Sequence, residues 1–296
     1  MPGKPRESRG ASDLPAVRAL LGEPPRVVAG VTFLPPSALD PLLWGTSHEP
    51  DELIARACAQ LHLDFVFLPG KESWAARAAR RVTAAGIAAF WAVDGPFARA
   101  ADDLGWGEAL RLTVAEPSSL LGSLDDGVAA ALAEVHRGTA AGAAAIVVAE
   151  DLSGASGPLV PPDFVNETLV SRLARIVGEA STAGLPAAIH SDGDVRAHLS
   201  AFARAGFSAV HMGGLGETAF VRMLRDARTR GLRTIGGIEG EALRAGSIAA
   251  IRAGTRASLF AVAGDLLVAD DGSISSPEEF SAFASAVAAA RGDTSD

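Results

Sequence analysis

The sequence predicts an α/β protein with a single domain, folded as a (β/α)8 TIM barrel. Short apolar runs alternate with helical patterns, eight runs can be counted, and no change of composition marks a linker. The runs begin at residues 26, 64, 87, 144, 187, 209, 233 and 258. Such alternation predicts parallel strands joined by right-handed crossovers, and eight is the number of strands that closes this barrel.

The domain boundaries follow from the same pattern. We expect residues 1–13 to be a tail, 14–292 to form the barrel and 293–296 to be a second tail. An open, doubly wound sheet is the structural alternative. It is disfavoured because no glycine-rich dinucleotide fingerprint follows the first apolar run.

The first four strands are followed by turn or helix-starting residues. Prolines end the first run, and Pro50, with acids beside it, opens a helix before the second. Helical patterns follow the second and third runs. The residues directly after the first, third and fourth runs are Pro35-Pro36, Asp94-Gly95-Pro96 and Glu150-Asp151.

The last four strands have polar or glycine-rich ends too. The fifth run breaks abruptly into a histidine, acids and a glycine, whereas glycines or an acid follow the other three. These ends are His190-Ser191-Asp192-Gly193-Asp194, Gly213-Gly214, Glu239 and Gly264-Asp265. Ser276-Pro277 then predicts the start of a last helix, because serine caps a helix and proline favours its first position.

Composition excludes several classes of function. The net charge of −9 argues against nucleic acid as a partner, because binding a duplex needs a basic face. No apolar run reaches eighteen residues, and the polar residues 1–12 do not resemble a signal peptide. Cys58 is the single cysteine, so no disulfide framework is possible. These features predict a cytoplasmic protein that needs no membrane.

The strand ends of a barrel meet at one mouth, where ligands bind. Strand-end acids also cap helices or pair with arginines, so a structural role stays open for each. If the barrel is correct, the mouth collects Asp94, Glu150, Asp151, His190, Asp192, His211, Glu239 and Asp265.

His190 and Asp192 are the central pair, because side chains two apart on a strand point the same way. With a further carboxylate such as Asp265 or Glu239 they could form a metal site of nitrogen and oxygen ligands. The same groups could also serve as acid and base without a metal. The residues alone leave both chemistries open.

Several segments resemble the uroporphyrinogen decarboxylase superfamily, which includes the corrinoid-dependent methyltransferases. They cover most of the chain from about residue 26 onward, and the family fold is a (β/α)8 barrel. The segments that carry the likeness are Asp94-Gly95-Pro96-Phe97, Gly157-Pro158-Leu159-Val160-Pro161-Pro162-Asp163-Phe164, Ile189-His190-Ser191-Asp192-Gly193, Ala205-Gly206-Phe207-Ser208-Ala209-Val210 and Gly236-Gly237-Ile238-Glu239.

Departures from the family pattern favour its methyltransferase branch. The decarboxylases have arginines just after the first strand and use a tyrosine; here Phe33-Leu34-Pro35-Pro36 has no arginine and the chain has no tyrosine. The methyltransferases bind zinc through His-x-Cys and a later cysteine. His190, Asp192 and Asp265 occupy the matching positions, so carboxylates replace both thiolates and the site would be harder.

The resemblance therefore implies an enzyme that acts on a small methylated compound. It implies a divalent metal such as zinc on His190, Asp192 and Asp265, and a corrinoid supplied by a partner protein. A homodimer is an open alternative to a monomer. Glu150 and Asp94 are further catalytic candidates, and the predicted substrate contacts are Asp64, Asp151, His211 and Glu239.

Two other functions stay open at this point. The first is a decarboxylase of a porphyrinogen or another carboxylated substrate. The second is a barrel that binds a tetrapyrrole or corrinoid without catalysis.

Overall fold

The structure is a computed structural model that describes residues 11–23, 26–39, 49–214, 217–246 and 266–291. Its main sheet has eight strands, which we number β1 to β8 in chain order. They are Gly30–Val31, Phe65–Pro69, Ala88–Asp94, Ala145–Ala149, Ala187–Asp192, Ala209–Gly213, Arg233–Ile238 and Leu266–Asp270.

The eight strands pair in sequence order, and every pairing is parallel. The two ends of the sheet also meet, through a parallel bridge between Ala29 and Val268. The Val268 amide donates to the Val28 carbonyl at 2.9 Å. This closure confirms the predicted (β/α)8 barrel and excludes the open sheet.

Helices surround the sheet, and we number them α1 to α11. A two-stranded hairpin, Ser153–Gly154 with Gly157–Pro158, follows β4. No helix in the described ranges is long and apolar enough to cross a membrane. The α-helices of five or more residues in the described ranges are Pro15–Leu20, Pro50–Gln60, Ala75–Ala84, Pro96–Leu104, Trp106–Ala115, Leu121–Ala141, Val170–Thr182, Leu199–Ala205, Glu217–Arg228, Gly240–Arg244 and Pro277–Ala290.

The predicted cap of the last helix is confirmed. Ser276 is the N-cap of α11, and its hydroxyl accepts from the Glu279 amide at 3.2 Å. The Glu279 carboxylate in turn accepts from the Ser275 amide at 2.6 Å. Side chains thereby satisfy amide groups at this helix start that would otherwise lack partners.

Strand alternation divides the core into two layers. Phe65, Phe67 and Phe90 point inward and fill the barrel, with ring centroids 4.9 to 6.0 Å apart. Val66 and Trp91, on the same strands, point outward and pack under the helices. Among the described residues, this inner aromatic layer fills the middle of the barrel, and a ligand can approach the interior from its ends.

The eighth strand corrects one prediction. The apolar run at 258–262, which was expected to be this strand, lies outside the described residues. β8 is instead Leu266–Asp270, an apolar segment that ends in two acids, Asp270 and Asp271. Asp265 precedes that strand and also lies outside the described residues.

Candidate functional site

A cavity of about 420 Å³ with several charged lining residues opens at the carboxyl ends of the strands. His190 and Asp192 of β5 and Asp271, just after β8, supply its imidazole and acidic groups, and Arg244 of α10 supplies a cation. Phe33, just after β1, forms an apolar wall. The remaining lining residues are mostly glycines and small polar residues: Gly154, Ala155, Gly193, Gly213, Gly214, Gly272 and Ser273.

Three side chains in this region could hold a metal ion together. Asp151, His190 and Asp192 each offer a ligand atom, and these atoms lie within 4.8 Å of one another. His190 Nε2 is 3.8 Å from Asp192 Oδ1. The His190 side chain is only 12 % exposed, whereas that of Asp192 is 63 % exposed. The arrangement provides three protein ligands and leaves further positions accessible from the cavity.

A second histidine fixes the tautomer of the first. His190 and His211 are register partners on β5 and β6, and their Nδ1 atoms are 2.7 Å apart. His211 Nε2 lies 3.0 Å from the Asp270 carbonyl, which can only accept, so Nε2 carries the proton. In a neutral ring, His211 Nδ1 is then unprotonated and accepts a hydrogen bond from the Nδ1–H of His190. His190 Nε2 is left with a lone pair on the side of the two aspartates.

Burial keeps both rings neutral. It lowers the pKa of His190 to about 4 and, together with the neighbouring His190, lowers that of His211 to about 3. Neutral imidazole is the form that binds a metal or accepts a proton. The hydrogen-bond geometry and the pKa shifts therefore agree on the protonation state.

The residue that orients His211, Asp270, is itself held by hydrogen bonds from the opposite side of the barrel mouth. Asp270 is fully buried, and its carboxylate accepts from the Thr32 amide, the Thr32 hydroxyl and the Gly272 amide at 2.7 to 3.0 Å. Burial raises the pKa of Asp270 to about 7. These bonds hold Asp270, whose carbonyl orients His211, and His211 in turn orients His190. A chain of hydrogen bonds therefore runs from Thr32, just after β1, to His190 on β5.

Asp192 lies in an acidic environment. Burial of the carboxyl, Asp151 and Asp271 together raise its pKa to about 6. A Cβ at Gly213 would lie 2.1 Å from Asp192 Oδ1, so glycine at that position makes room for the carboxylate. Carboxylates that repel one another in this way are stabilised when a cation binds between them.

Glu150 has a different environment from its neighbour Asp151. Its side chain is fully buried and accepts from the amides of Phe97 and Ala98, at 2.9 and 2.8 Å, at the start of α4. Burial raises its pKa to about 8, although the two amide bonds act in the opposite direction. The predicted catalytic role is untested, and the observed bonds are those of a helix cap.

Gly95 should be essential for this cap. A Cβ at this position would lie 2.2 Å from Glu150 Cγ. We expect Gly95→Ala to lower the free energy of unfolding by about 1–3 kcal/mol in urea denaturation, because the buried carboxylate has no room to move. Gly107→Ala is the matched control, since nothing lies within 4 Å of its added Cβ in α5, and it should be neutral or stabilising. Equal stability of the two variants would contradict this role.

The structure places Asp64, a predicted substrate contact, away from the cavity at the carboxyl ends. This residue precedes β2, at the amino end of the barrel, because all strands are parallel. Its buried carboxylate accepts from Arg26, Arg291 and the Ala29 amide, so its observed partners are structural. A substrate at the carboxyl ends would be on the other side of the inner aromatic layer.

Asp94 and Glu239 lie at the carboxyl ends of their strands but are not among the three possible ligands. Asp94 ends β3 and lies 3.8 Å from Lys71. Glu239 is partly buried at the N-cap position of α10. Asp265, predicted as a metal ligand, lies outside the described residues. Among the described residues, Asp151 completes the ligand set with His190 and Asp192.

Comparisons with known proteins identify the fold. No family model matches the sequence, and no curated protein matches it. A methyltransferase from Methanosarcina mazei has a similar structure, with a TM-score of 0.73 and 19 % identity, over 96 % of this chain and 99 % of that chain.

Two other enzymes are more distant. The carboxyl transferase domain of Rhizobium etli pyruvate carboxylase gives a TM-score of 0.52 at 11 % identity, over 98 % of this chain and 53 % of that one. A D-psicose 3-epimerase gives 0.50 at 13 % identity, over 90 % and 96 %. At these identities the likenesses establish a barrel fold common among enzymes.

Proposed function

We propose that this protein is a metal-dependent enzyme of the methyltransferase type, which acts on a small methylated compound. The observation that carries the proposal is the cluster of Asp151, His190 and Asp192, with its free His190 Nε2 lone pair. The overall likeness to a methyltransferase and the resemblance of the His190 segment to the corrinoid-dependent branch both support it.

The donor atoms fit a divalent ion such as zinc. One imidazole nitrogen and two carboxylates are ligands that zinc accepts, and catalytic zinc sites commonly have three protein ligands. A metal bound there would act as a Lewis acid toward a substrate oxygen or nitrogen. The ligand set contains no sulfur and is therefore hard, which favours a methoxy or methylamine compound over a thiol.

The residues around the three possible ligands orient them and shape the access to them. His211 and the Asp270 carbonyl hold the His190 ring in one tautomer. Phe33 covers the ring edge, with centroids 5.1 Å apart, and limits access of water from that side. A corrinoid on a partner protein would approach from the open side of the cavity, which no described helix closes.

The two alternative functions, a porphyrinogen decarboxylase and a corrinoid-binding protein, require different groups at the barrel mouth. A polycarboxylate porphyrinogen needs several cations, whereas the cavity has one arginine, Arg244, among its described lining residues. Decarboxylation is therefore the second candidate. A barrel that only binds a corrinoid would need the cavity but not the metal ligands.

An assay with methylcobalamin separates these functions. We expect zinc-loaded protein to consume methylcobalamin in the presence of small phenol or amine acceptors, measured by visible absorbance, while chelator-treated protein and His190→Ala do not. A spectral shift without consumption would favour a binding protein. Carbon dioxide released from a porphyrinogen would favour a decarboxylase.

Zinc affinity should depend on pH through Asp192. Its raised pKa, about 6, means that the carboxylate is available above that pH and protonated below it. We therefore expect the apparent affinity to fall as the pH drops below about 6. His190, with a pKa near 4, does not titrate in this window.

Competition with a metal indicator at several pH values would measure the effect. Asp192→Asn should bind more weakly at about pH 8 and show a flatter profile between about pH 5 and pH 7. An unchanged midpoint in the variant would show that another group controls the binding.

A further inference from the structure

A second cavity, of about 190 Å³, lies beside the first at the carboxyl ends of β2, β3 and β4. Phe33 lines both cavities, so its ring separates the second one from the side that holds His190 and Asp192. The walls are mainly apolar and include Pro69, Val93 and Ala131. A mainly apolar pocket with few polar groups is typical of a binding site for a small molecule.

The charges at this cavity do not all compensate one another. Lys71 lies 3.8 Å from Asp94, and Glu134 Oε2 lies 3.0 Å from Arg137 without a hydrogen bond among the described residues. Arg99, on α4, also lines the cavity. Throughout the described ranges, no hydrogen bond or ion pair involves the Arg99 guanidinium. The cavity therefore combines apolar walls with one solvent-exposed cation that has no anionic partner among the described residues.

The backbone of Phe33 indicates that its position matters. Its φ of 46° lies in the left-handed region, which bulky side chains rarely adopt. The centroid of its ring lies 5.4 Å from that of Phe67 and 5.1 Å from that of His190. These two contacts hold the ring between the two cavities. Such strain persists where the surrounding structure fixes it, often at ligand sites.

We propose that this second cavity binds the apolar body of a small monoanion whose charged group pairs with Arg99. The ligand class is a carboxylate or similar anion on a single ring or short hydrocarbon. A ligand held there has its uncharged end at Phe33, beside the cavity of the proposed metal ligands. A role of this second cavity in selecting the substrate rests on the proposed function. Binding of the monoanion does not depend on that function.

The test uses the full chain, treated with chelator, and three probes of one shape: benzoate, benzamide and benzylamine. Isothermal titration should give the tightest binding for benzoate, with benzamide about fivefold weaker, as expected for a partly exposed ion pair. Benzylamine should bind more weakly still. The same titrations are made on variants whose folding is checked by circular dichroism.

Three variants decide the outcome. Arg99→Gln should remove the preference for benzoate over benzamide. Arg111→Gln, an exposed arginine paired with Glu108 on α5, is the matched control and should keep it. Ala130→Leu fills the cavity from α6 and should weaken all three probes by about tenfold.

Several results would overturn the proposal. They are no saturable binding of benzoate to the unmodified protein, equal affinity for benzoate and benzamide, or an unchanged preference in Arg99→Gln. If Ala130→Leu does not fold, the comparison of Arg99→Gln with Arg111→Gln decides alone. Because the metal is removed, failure of zinc binding leaves this result unaffected, and loss of benzoate binding leaves zinc binding to be measured separately.

Discussion

Replacing His190 by alanine should weaken zinc binding by at least about 100-fold, or about 2.8 kcal/mol. His190 supplies the one nitrogen of the Asp151, His190 and Asp192 cluster, and its Nε2 is directed by the bond to His211. Alanine removes the ligand and leaves two carboxylates, which bind zinc weakly alone. Titration of chelator-treated protein with zinc measures the change, and methylcobalamin consumption should be lost in parallel.

His136→Ala is the control for this substitution. His136 is also a histidine beside an acid, 2.8 Å from Glu179, but it is exposed on α6. Its replacement should leave zinc affinity within about twofold, since exposed ion pairs contribute little. Equal zinc affinity of both variants and the unmodified protein would remove His190 from the site.

Replacing Asp64 by alanine should produce the largest loss of stability, about 3 kcal/mol. Asp64 is 4 % exposed and pairs with Arg291, itself 15 % exposed, so removing the carboxylate leaves a mostly buried charge uncompensated. The Ala29 amide also loses its acceptor. Urea denaturation measures the free energy of unfolding, and the m-value shows whether unfolding stays two-state.

Asp103→Ala is the control, because Asp103 is an exposed aspartate on α4. It should change stability by less than about 0.5 kcal/mol. Asp64→Ala should keep its zinc affinity, since it lies at the amino end of the barrel. Loss of zinc binding in folded Asp64→Ala would contradict a purely structural role for this residue.

The fold could be predicted because each buried parallel strand is a short apolar run that stops at polar residues. The eighth strand shows where that signal is ambiguous. Two apolar segments follow each other near residues 258 and 266, and the pattern does not say which joins the sheet. A strand at 258–262 would end near Asp265, whereas β8 ends at Asp270 and is followed by Asp271.

Part of the candidate site could be recognised from the same feature, the abrupt end of an apolar run. His190 and Asp192 are recognisable because they follow an apolar run two residues apart. Glu150 and Asp151 are adjacent in sequence after β4, yet only Asp151 lies near His190 and Asp192, whereas Glu150 turns to the start of α4. The sequence does not show which of the two acids takes which direction. The bond between His190 and His211 depends on the register of β5 against β6, which no local sequence pattern encodes.

The most direct test is a crystal structure of the protein soaked with zinc, with anomalous diffraction measured at the zinc absorption edge. We expect one anomalous peak bonded to His190 Nε2 and to oxygens of Asp151 and Asp192, at about 2.0–2.2 Å. His190 Nδ1 should keep its bond to His211. No peak at the cluster in zinc-saturated crystals, or a zinc ion bound elsewhere at the mouth, would contradict the central claim.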